Sequence, residues 1–241
     1  MEQIYLPAVA STNAWMQERL QQTRLAEGTL VYTSYQTNGR GQLTNTWESE
    51  KDKNLLLSML FTPTWLPVKD QFVLSQAVAL AVLDFLTAYD KQFQIKWPND
   101  IYWCDKKIGG ILIENNLLGA SIGTSIVGIG LNINQVNFVS DAPNPVSLSQ
   151  ITGQTYELGA CLDALHVALW KRYTQAQKHP SIIRKDYLSV LYRYRMWAMY
   201  RDEKGVFEGM ITDVENRGYL HICTQGGIDK KYAFKEVQFL L

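Results

Sequence analysis

Two short stretches set cationic side chains beside glycine in a way that suits an anionic ligand. In "QTNGRGQ" (36–42) Arg40 stands between Gly39 and Gly41. Little side-chain bulk lets backbone N–H groups and the guanidinium converge on one phosphate or carboxylate. In "KWPNDIYWCDKKIGGILIE" (96–114) proline fixes its own φ and pushes Trp97 into an extended conformation, so Asn99 and Asp100 are presented at a fixed angle. Lys107 precedes Gly109 and Gly110, a pair that permits close backbone approach, and its ammonium can reach the same anion as Arg40. A third stretch, "GIGLNIN" (128–134), closes an apolar run with Asn132, whose amide serves either a ligand or its own loop. Each has an ordinary reading when taken alone: a turn with a solvated arginine, solvated Lys96, Lys106 and Lys107 around a core tryptophan, a self-capped loop. The chain has no G-x-x-x-x-G-K-[ST] run, so a nucleotide must be held by other means.

The elements that position these loops follow from hydrophobic spacing. "QIYLPAV" (3–9) predicts an opening strand, and Ser11 or Thr12 caps a helix through about Leu25 that Glu27–Gly28 terminates. "TLVYTSYQ" (29–36) and "NLLLSMLF" (54–61) predict strands on either side of the polar loop 37–47. Leu74, Val78, Val82, Phe85 and Tyr89 give a core-facing stripe on a helix over 68–90. "IGGILIE" and "GASIGTSIVGIGLNIN" are dense enough in Ile, Leu and Val to be central strands. Helices follow at 157–178, marked by Leu158, Leu162, Leu165 and Leu169, and at "SIIRKDYLSVLYRY". From about residue 200 short alternating stretches are separated by turns at 203–205, 215–218 and 225–227, which predicts a small separate β-barrel.

Composition bounds the function. At 241 residues, 46% apolar and 12% aromatic, the chain has ample material for a core. Lys plus Arg (23) equals Asp plus Glu (23), so no global field draws DNA or an anionic membrane, and anion binding has to be local. Cys104, Cys161 and Cys223 are odd in number and form no C-x-x-C pair, which argues against disulfides or structural zinc and suits a reducing cytoplasm. Neither a signal sequence nor an 18-residue apolar run is present, so a soluble, non-exported protein is expected.

In order and spacing, "STN" (11–13), "QTNGRGQ" (36–42), "KWPND" (96–100), "KKIGGILIE" (106–114) and "GIGLNIN" (128–134) resemble the biotin protein ligases over essentially the whole chain. The resemblance implies an α+β fold of the class II synthetase-like biotin/lipoate ligase type: a catalytic domain (1–195) with a central mixed β-sheet and flanking helices, then a small C-terminal β-barrel (196–241). It implies a two-step reaction, in which the biotin carboxylate attacks the α-phosphate of Mg-ATP to give biotinyl-5'-AMP and pyrophosphate. A lysine ε-amine of a biotin carboxyl carrier domain then takes the biotin and releases AMP. By the same resemblance Arg40 and Lys107 offset the repulsion between the two anions, Lys107 holding first the carboxylate and then the adenylate phosphate. Ser11, Thr12, Asn13 and Gln36, with Gly39, Gly41, Gly109 and Gly110, belong to the biotin side, where hydrogen bonds suit a neutral ureido ring. Gln42, Trp47, Asn99, Asn132 and Phe138 belong to the ATP side, Phe138 as a candidate to stack on adenine. Asp100 accepts a proton from the incoming lysine or helps position Mg²⁺, and the sequence leaves both open.

Two departures from the family pattern stand out. Larger members begin with a helix-turn-helix, whereas here the strand before "STN" starts near residue 2, so a monofunctional enzyme without DNA binding is expected, as a monomer or weak homodimer. The family often carries a second arginine where Gln42 stands. The alternatives are a lipoate protein ligase of the same fold, disfavoured by "KWPND" and by the polar set at 11–13 and 36, and a non-catalytic biotin sensor, which needs neither Arg40 nor Lys107.

Overall fold

A computed structural model describes residues 2–42, 45–139 and 144–240. Its central sheet has seven strands: β1 (Gln3–Leu6), β2 (Leu30–Thr33), β3 (Leu55–Phe61), β4 (Phe93–Lys96), β5 (Asp100–Trp103), β6 (Lys106–Leu118) and β7 (Ser121–Leu131). They lie in the order β1-β2-β3-β7-β6-β5-β4. Only β1 and β2 run parallel, with α1 (Thr12–Gln22) as the crossover that such a pair requires; every other pairing is antiparallel, and the sheet is mixed as expected.

The sheet is buried unequally on its two faces. On one face, α2 (Phe72–Leu86), α4 (Leu158–Lys178) and α5 (Pro180–Ser189) pack over Leu55, Leu57, Met59 and Phe61 of β3 and over Val127, Ile129 and Leu131 of β7. On the other, Met16 of α1 packs on Val31, Leu60 and Ile126. Strand β3 is therefore buried on both sides, which is why it reads as an unbroken apolar run. Helix α1 covers only part of its face, and the rest is left to the site described below.

Several elements differ from the sequence reading. The opening strand stops at Leu6, and Val9 returns only as an isolated bridge to Gln36. Helix α1 ends at Gln22, where Thr23 turns extended. The stripe helix begins as a 3-10 turn at Val68–Asp70 and is regular only over 72–86. It is buried nearly all round because α4 and α5 clasp it, and Tyr89 lies past its end against Phe85 and Tyr156. The last helix stops at Ser189, and Arg193 and Arg195 take positive φ (61° and 56°), which no helix accommodates. A short α3 (Leu148–Thr152), closed by a Ser147–Gln150 capping box, was not anticipated.

The C-terminal segment forms a five-stranded antiparallel sheet: β8 (Trp197–Asp202), β9 (Gly205–Val214), β10 (Leu220–Thr224), β11 (Asp229–Tyr232) and β12 (Gln238–Phe239), in the order β11-β10-β9-β8-β12. Its turns fall at the three expected places, with Gly218 and Gly227 at φ 93° and 77°, values that disfavour any side chain. Tyr200, Ile211, Leu220 and Ile222 belong to the same continuous apolar cluster as α2. Trp97 Nε1 donates to the Gly218 carbonyl at 2.9 Å, which ties this sheet to the "KWPND" corner.

Candidate functional site

A cavity of about 690 Å³ lies on the α1 face of the sheet, beyond the helix's N-terminus. Its walls come from five places: the start of α1, the loop after β2, the β4–β5 corner, β6 with β7, and the C-terminal segment 234–240. Three glycines make the floor possible. A Cβ at Gly128 would meet Asn13 Oδ1 at 2.4 Å, and one at Gly130 would meet the Trp47 ring at 2.4 Å. Gly110, paired with Gly130 across β6 and β7, is likewise covered by Trp47. Glycine in these strands lets Asn13 and Trp47 lie directly on the sheet.

The α1 end of the cavity is neutral and polar. Asn13 spends both amide hydrogens, on Leu112 O (3.3 Å) and Glu114 Oε2 (2.7 Å), so its Oδ1 accepts from Ser58 Oγ (2.6 Å). With that proton used, the 2.7 Å contact between Ser58 and Thr12 requires Thr12 Oγ1 to donate, and Gln36 Oε1 keeps the Thr12 backbone N–H at 2.9 Å. The Gln36 –NH₂ makes no hydrogen bond within the described residues and remains for a ligand. Ser11 caps α1 and lines the same end.

The middle of the cavity is charged. Lys107 Nζ lies 2.7 Å from Asp100 Oδ1 and 5.8 Å from the Trp47 ring centre, and Arg40 Nη2 lies 2.8 Å from Glu114 Oε1. Glu114 thus joins the neutral end to the cationic middle, one oxygen on Asn13 and the other on Arg40. The corner that places Asp100 is a hairpin: Lys96 pairs with Asp100 across β4 and β5, and the Trp97–Pro98 bond is cis. Asn99 Nδ2 fastens this corner to the Ile111 carbonyl at 2.7 Å. Lys96 is half-buried, not solvated, and donates to Tyr102 OH at 2.9 Å. Burial lowers its pKa against the raising influence of Asp100, while burial and Asp100 together push the Tyr102 phenol far up.

Of the residues singled out in the sequence, Ser11, Thr12, Asn13, Gln36, Arg40, Gly41, Gln42, Trp47, Asn99, Asp100, Lys107 and Gly110 all line this cavity. Gly39, Gly109, Asn132 and Phe138 do not. Gly39 is where the loop closes on itself, since a Cβ there would strike the Trp47 carbonyl at 2.4 Å. Gly109 faces the opposite side of β6, under Leu131. Asn132 is buried, its amide donating to Val146 O at 3.2 Å, which holds the exit from β7. Phe138 is half-buried away from the wall.

Ser58 and Glu114 escaped the sequence reading. The signals were present: a lone hydroxyl in an otherwise apolar strand, and a carboxylate four residues along β6 from Gly110, hence on the same strand face. Asp100 is the sole carboxylate on the cavity wall among the described residues, and no cluster of three His, Cys, Asp or Glu side chains is arranged there to hold a metal ion. Among the described residues no helix is long and apolar enough to cross a membrane.

Comparison with known proteins agrees with this geometry. The profile of a family described as the biotin/lipoate A/B protein ligase family matches residues 5–132. The chain is 30% identical over 243 residues to the bifunctional ligase/repressor BirA of Bacillus spizizenii, a match spanning 95% of this chain and 72% of that protein. It is 32% identical over 225 residues to the biotin–protein ligase of Homo sapiens, spanning 86% of this chain and 30% of that one. Among solved structures it is similar to a biotin protein ligase from Aquifex aeolicus in complex with biotin and ATP, with a TM-score of 0.80, 26% identity and 99% of each chain covered.

Proposed function

This chain belongs to the biotin/lipoate A/B protein ligase family, and on that premise we infer that it is an ATP-dependent biotin protein ligase. The observation that carries the reading is the grading of one cavity from a neutral hydrogen-bonding end (Thr12, Asn13, Gln36) to a cationic middle (Arg40, Lys107) with, among the described residues, a single wall carboxylate, Asp100. Biotin has that same polarity, an uncharged ureido ring at one end and a carboxylate at the other. The ring is met by hydrogen-bonding groups held in fixed orientation, and the carboxylate by ammonium and guanidinium.

In the first step a biotin carboxylate oxygen bonds to the α-phosphorus of ATP, and the bond from that phosphorus to the bridging oxygen of pyrophosphate breaks. Lys107 gives one N–H to Asp100 and has two left for the converging anions. Fixed charges of this kind stabilise developing negative charge without reorganising. Trp47, Gln42 and Asn99 line the ATP side of the wall. Asp100 is the protein oxygen on the wall that would help hold a Mg²⁺ bound with ATP, and the ion would offset phosphate charge there. In the second step the lysine amine of a biotin carboxyl carrier domain attacks the biotinyl carbonyl and AMP leaves. As the one carboxylate on the wall among the described residues, Asp100 is the group suited to accept the amine's proton. Three free cysteines suit a cytoplasmic enzyme. The test is exchange of labelled pyrophosphate into ATP followed by transfer to an apo carrier domain. Both should depend on biotin; exchange driven by lipoate and not by biotin would overturn the assignment.

A further inference from the structure

The C-terminal sheet buries Tyr200, Ile211, Leu220 and Ile222 on its inner face. Its outer face is apolar too, and nothing in the chain covers it. Successive strand residues point to opposite faces, so Tyr200 of β8 and Phe207 of β9 stack on the inside, while Met199 and Val206 face solvent at 44% and 51% exposure. Met196 and Trp197 extend this patch, 60% and 48% exposed. Single apolar residues on a surface need no explanation, but four large ones gathered on and beside two paired strands mark a contact surface, and methionine adapts readily to a partner.

Two charges within the patch say what the partner is. Met199 lies opposite Glu208 across β8 and β9, and Arg201 lies opposite Val206. These four residues occupy the corners of a quadrilateral of about 5 by 7 Å, with the charges on one diagonal and the apolar side chains on the other. The Arg201 side chain makes no hydrogen bond or ion pair among the described residues, and Glu208 accepts from the neutral amide of Gln225. Such a pattern is complementary to itself. A two-fold axis along the Met199–Val206 diagonal, in the plane between two copies, sets each of those residues against its own counterpart. The same rotation carries Arg201 over Glu208 of the second copy, and by symmetry it does so twice. A partner surface of one charge sign would instead oppose either Arg201 or Glu208 with its like.

Independently of the ligase reading, we propose that the outer face of β8 and β9 is a homodimer contact, its occupant a second copy of this chain. On the inner side of the same strand Tyr200 packs on Phe239, which lines the cavity, so the contact and the cavity lie on opposite faces and both cavities of the dimer stay open. The patch is small, and the dimer is accordingly weak, with Kd on the order of 10–100 µM.

The experiment is sedimentation velocity of the full chain at concentrations from well below to well above that range. The wild-type chain should pass from monomer to dimer, and added salt should weaken the dimer. Arg201→Glu alone and Glu208→Arg alone each bring like charges together twice, and each should weaken association about tenfold or more. Mixed in equal amounts, the two variants should associate again, because both contacts between them join opposite charges. Both side chains are exposed, so folding and biotin-dependent pyrophosphate exchange should stay within about twofold of wild type. A wild-type chain that remains monomeric throughout overturns the proposal. So does a dimer that tolerates both substitutions, or a mixture of the two variants that stays monomeric. Association seen only with an apo carrier domain, and lost in both variants, would make the carrier the occupant and overturn it as well. None of these failures touches the ligase reading, since pyrophosphate exchange does not require the dimer.

Discussion

Gly128 and Gly130 lie two residues apart on one face of β7, and a methyl group on either would come within 2.4 Å of a neighbour, yet the two substitutions should behave in opposite ways. At Gly128 the neighbour is Asn13, whose Oδ1, Cγ and Nδ2 would all lie within 3.2 Å of the new carbon. Asn13 cannot yield: it is 2% exposed, in the first turn of α1, and held by Ser58, Glu114 and Leu112. Gly128→Ala must disturb that network of one charge-assisted and two neutral hydrogen bonds, and losing the charge-assisted bond with at least one neutral one costs about 2–3 kcal/mol. For a chain of this size that is a fall of roughly 4–12 °C in Tm. Biotin affinity should drop with it, because Asn13 and Thr12 share Ser58. At Gly130 the neighbour is the ring-fusion bond of the Trp47 indole, whose Nε1 has no partner among the described residues and whose loop is half-exposed. The ring can swing aside, so Gly130→Ala should cost under about 1 kcal/mol and affect ATP more than biotin. Thermal unfolding by circular dichroism and calorimetric titration with biotin and ATP separate the two. Equal destabilisation by both variants, or a Gly128→Ala protein within about 0.5 kcal/mol of wild type with unchanged biotin affinity, would refute the reasoning.

Lys107→Ala should lower biotinyl-AMP formation in a quenched-flow assay by about 10²–10³, with little change in Tm because its pair with Asp100 is partly exposed; near-normal production would remove Lys107 from the chemistry. Gln42 lines the cavity with a buried Oε1 that lacks a partner among the described residues, and an arginine there adds a charge toward the adenylate. Gln42→Arg should therefore slow release of preformed biotinyl-AMP about fivefold and leave biotin affinity nearly unchanged; an unaltered release rate would place residue 42 away from the phosphate. In the C-terminal sheet His221 lies between Asp229 (2.7 Å) and Glu215 (2.8 Å); burial alone would lower its pKa, but the two carboxylates raise it above the ordinary value of 6.5. Its stabilisation is then fully present below about pH 6.5 and is lost as pH rises through the higher folded value. His221→Gln should flatten the urea-denaturation profile across that window, and a profile parallel to wild type would contradict this.

Strands β6 and β7 and the C-terminal hairpins were legible because each carries a strong local signal: dense Ile and Val in the first case, glycine-bearing turns in the second. The four-residue strands β4 and β5 were not, since "KWPND" reads as a corner whether or not its flanks pair. The same limit applies within the site. Gly109 and Gly110 are indistinguishable in sequence, but adjacent strand residues point to opposite faces, so one packs under Leu131 while the other makes room for Trp47. Asn132 carries the same signal as Asn13, an amide at the end of an apolar element; only the path of 144–148 beside it turns Asn132 into a buried brace. Lys96 was read as solvated because nothing local reveals that Phe239, more than a hundred residues later, closes over it.

Which contacts can yield follows from burial and charge. The Asn13–Ser58–Thr12 contacts are neutral and buried, and breaking them strands polar groups, so this end of the cavity is rigid. The two ion pairs are more exposed, 42% and 29% for Arg40 and Glu114, 25% and 22% for Lys107 and Asp100. Pairs near solvent contribute about 0–1 kcal/mol, so an incoming carboxylate or phosphate can take Arg40 and Lys107 from their protein partners at small cost. A fully buried pair would resist that exchange. The neutral end can therefore discriminate by fixed geometry, while the charged middle re-pairs as carboxylate becomes acyl phosphate and the adenylate gives way to AMP.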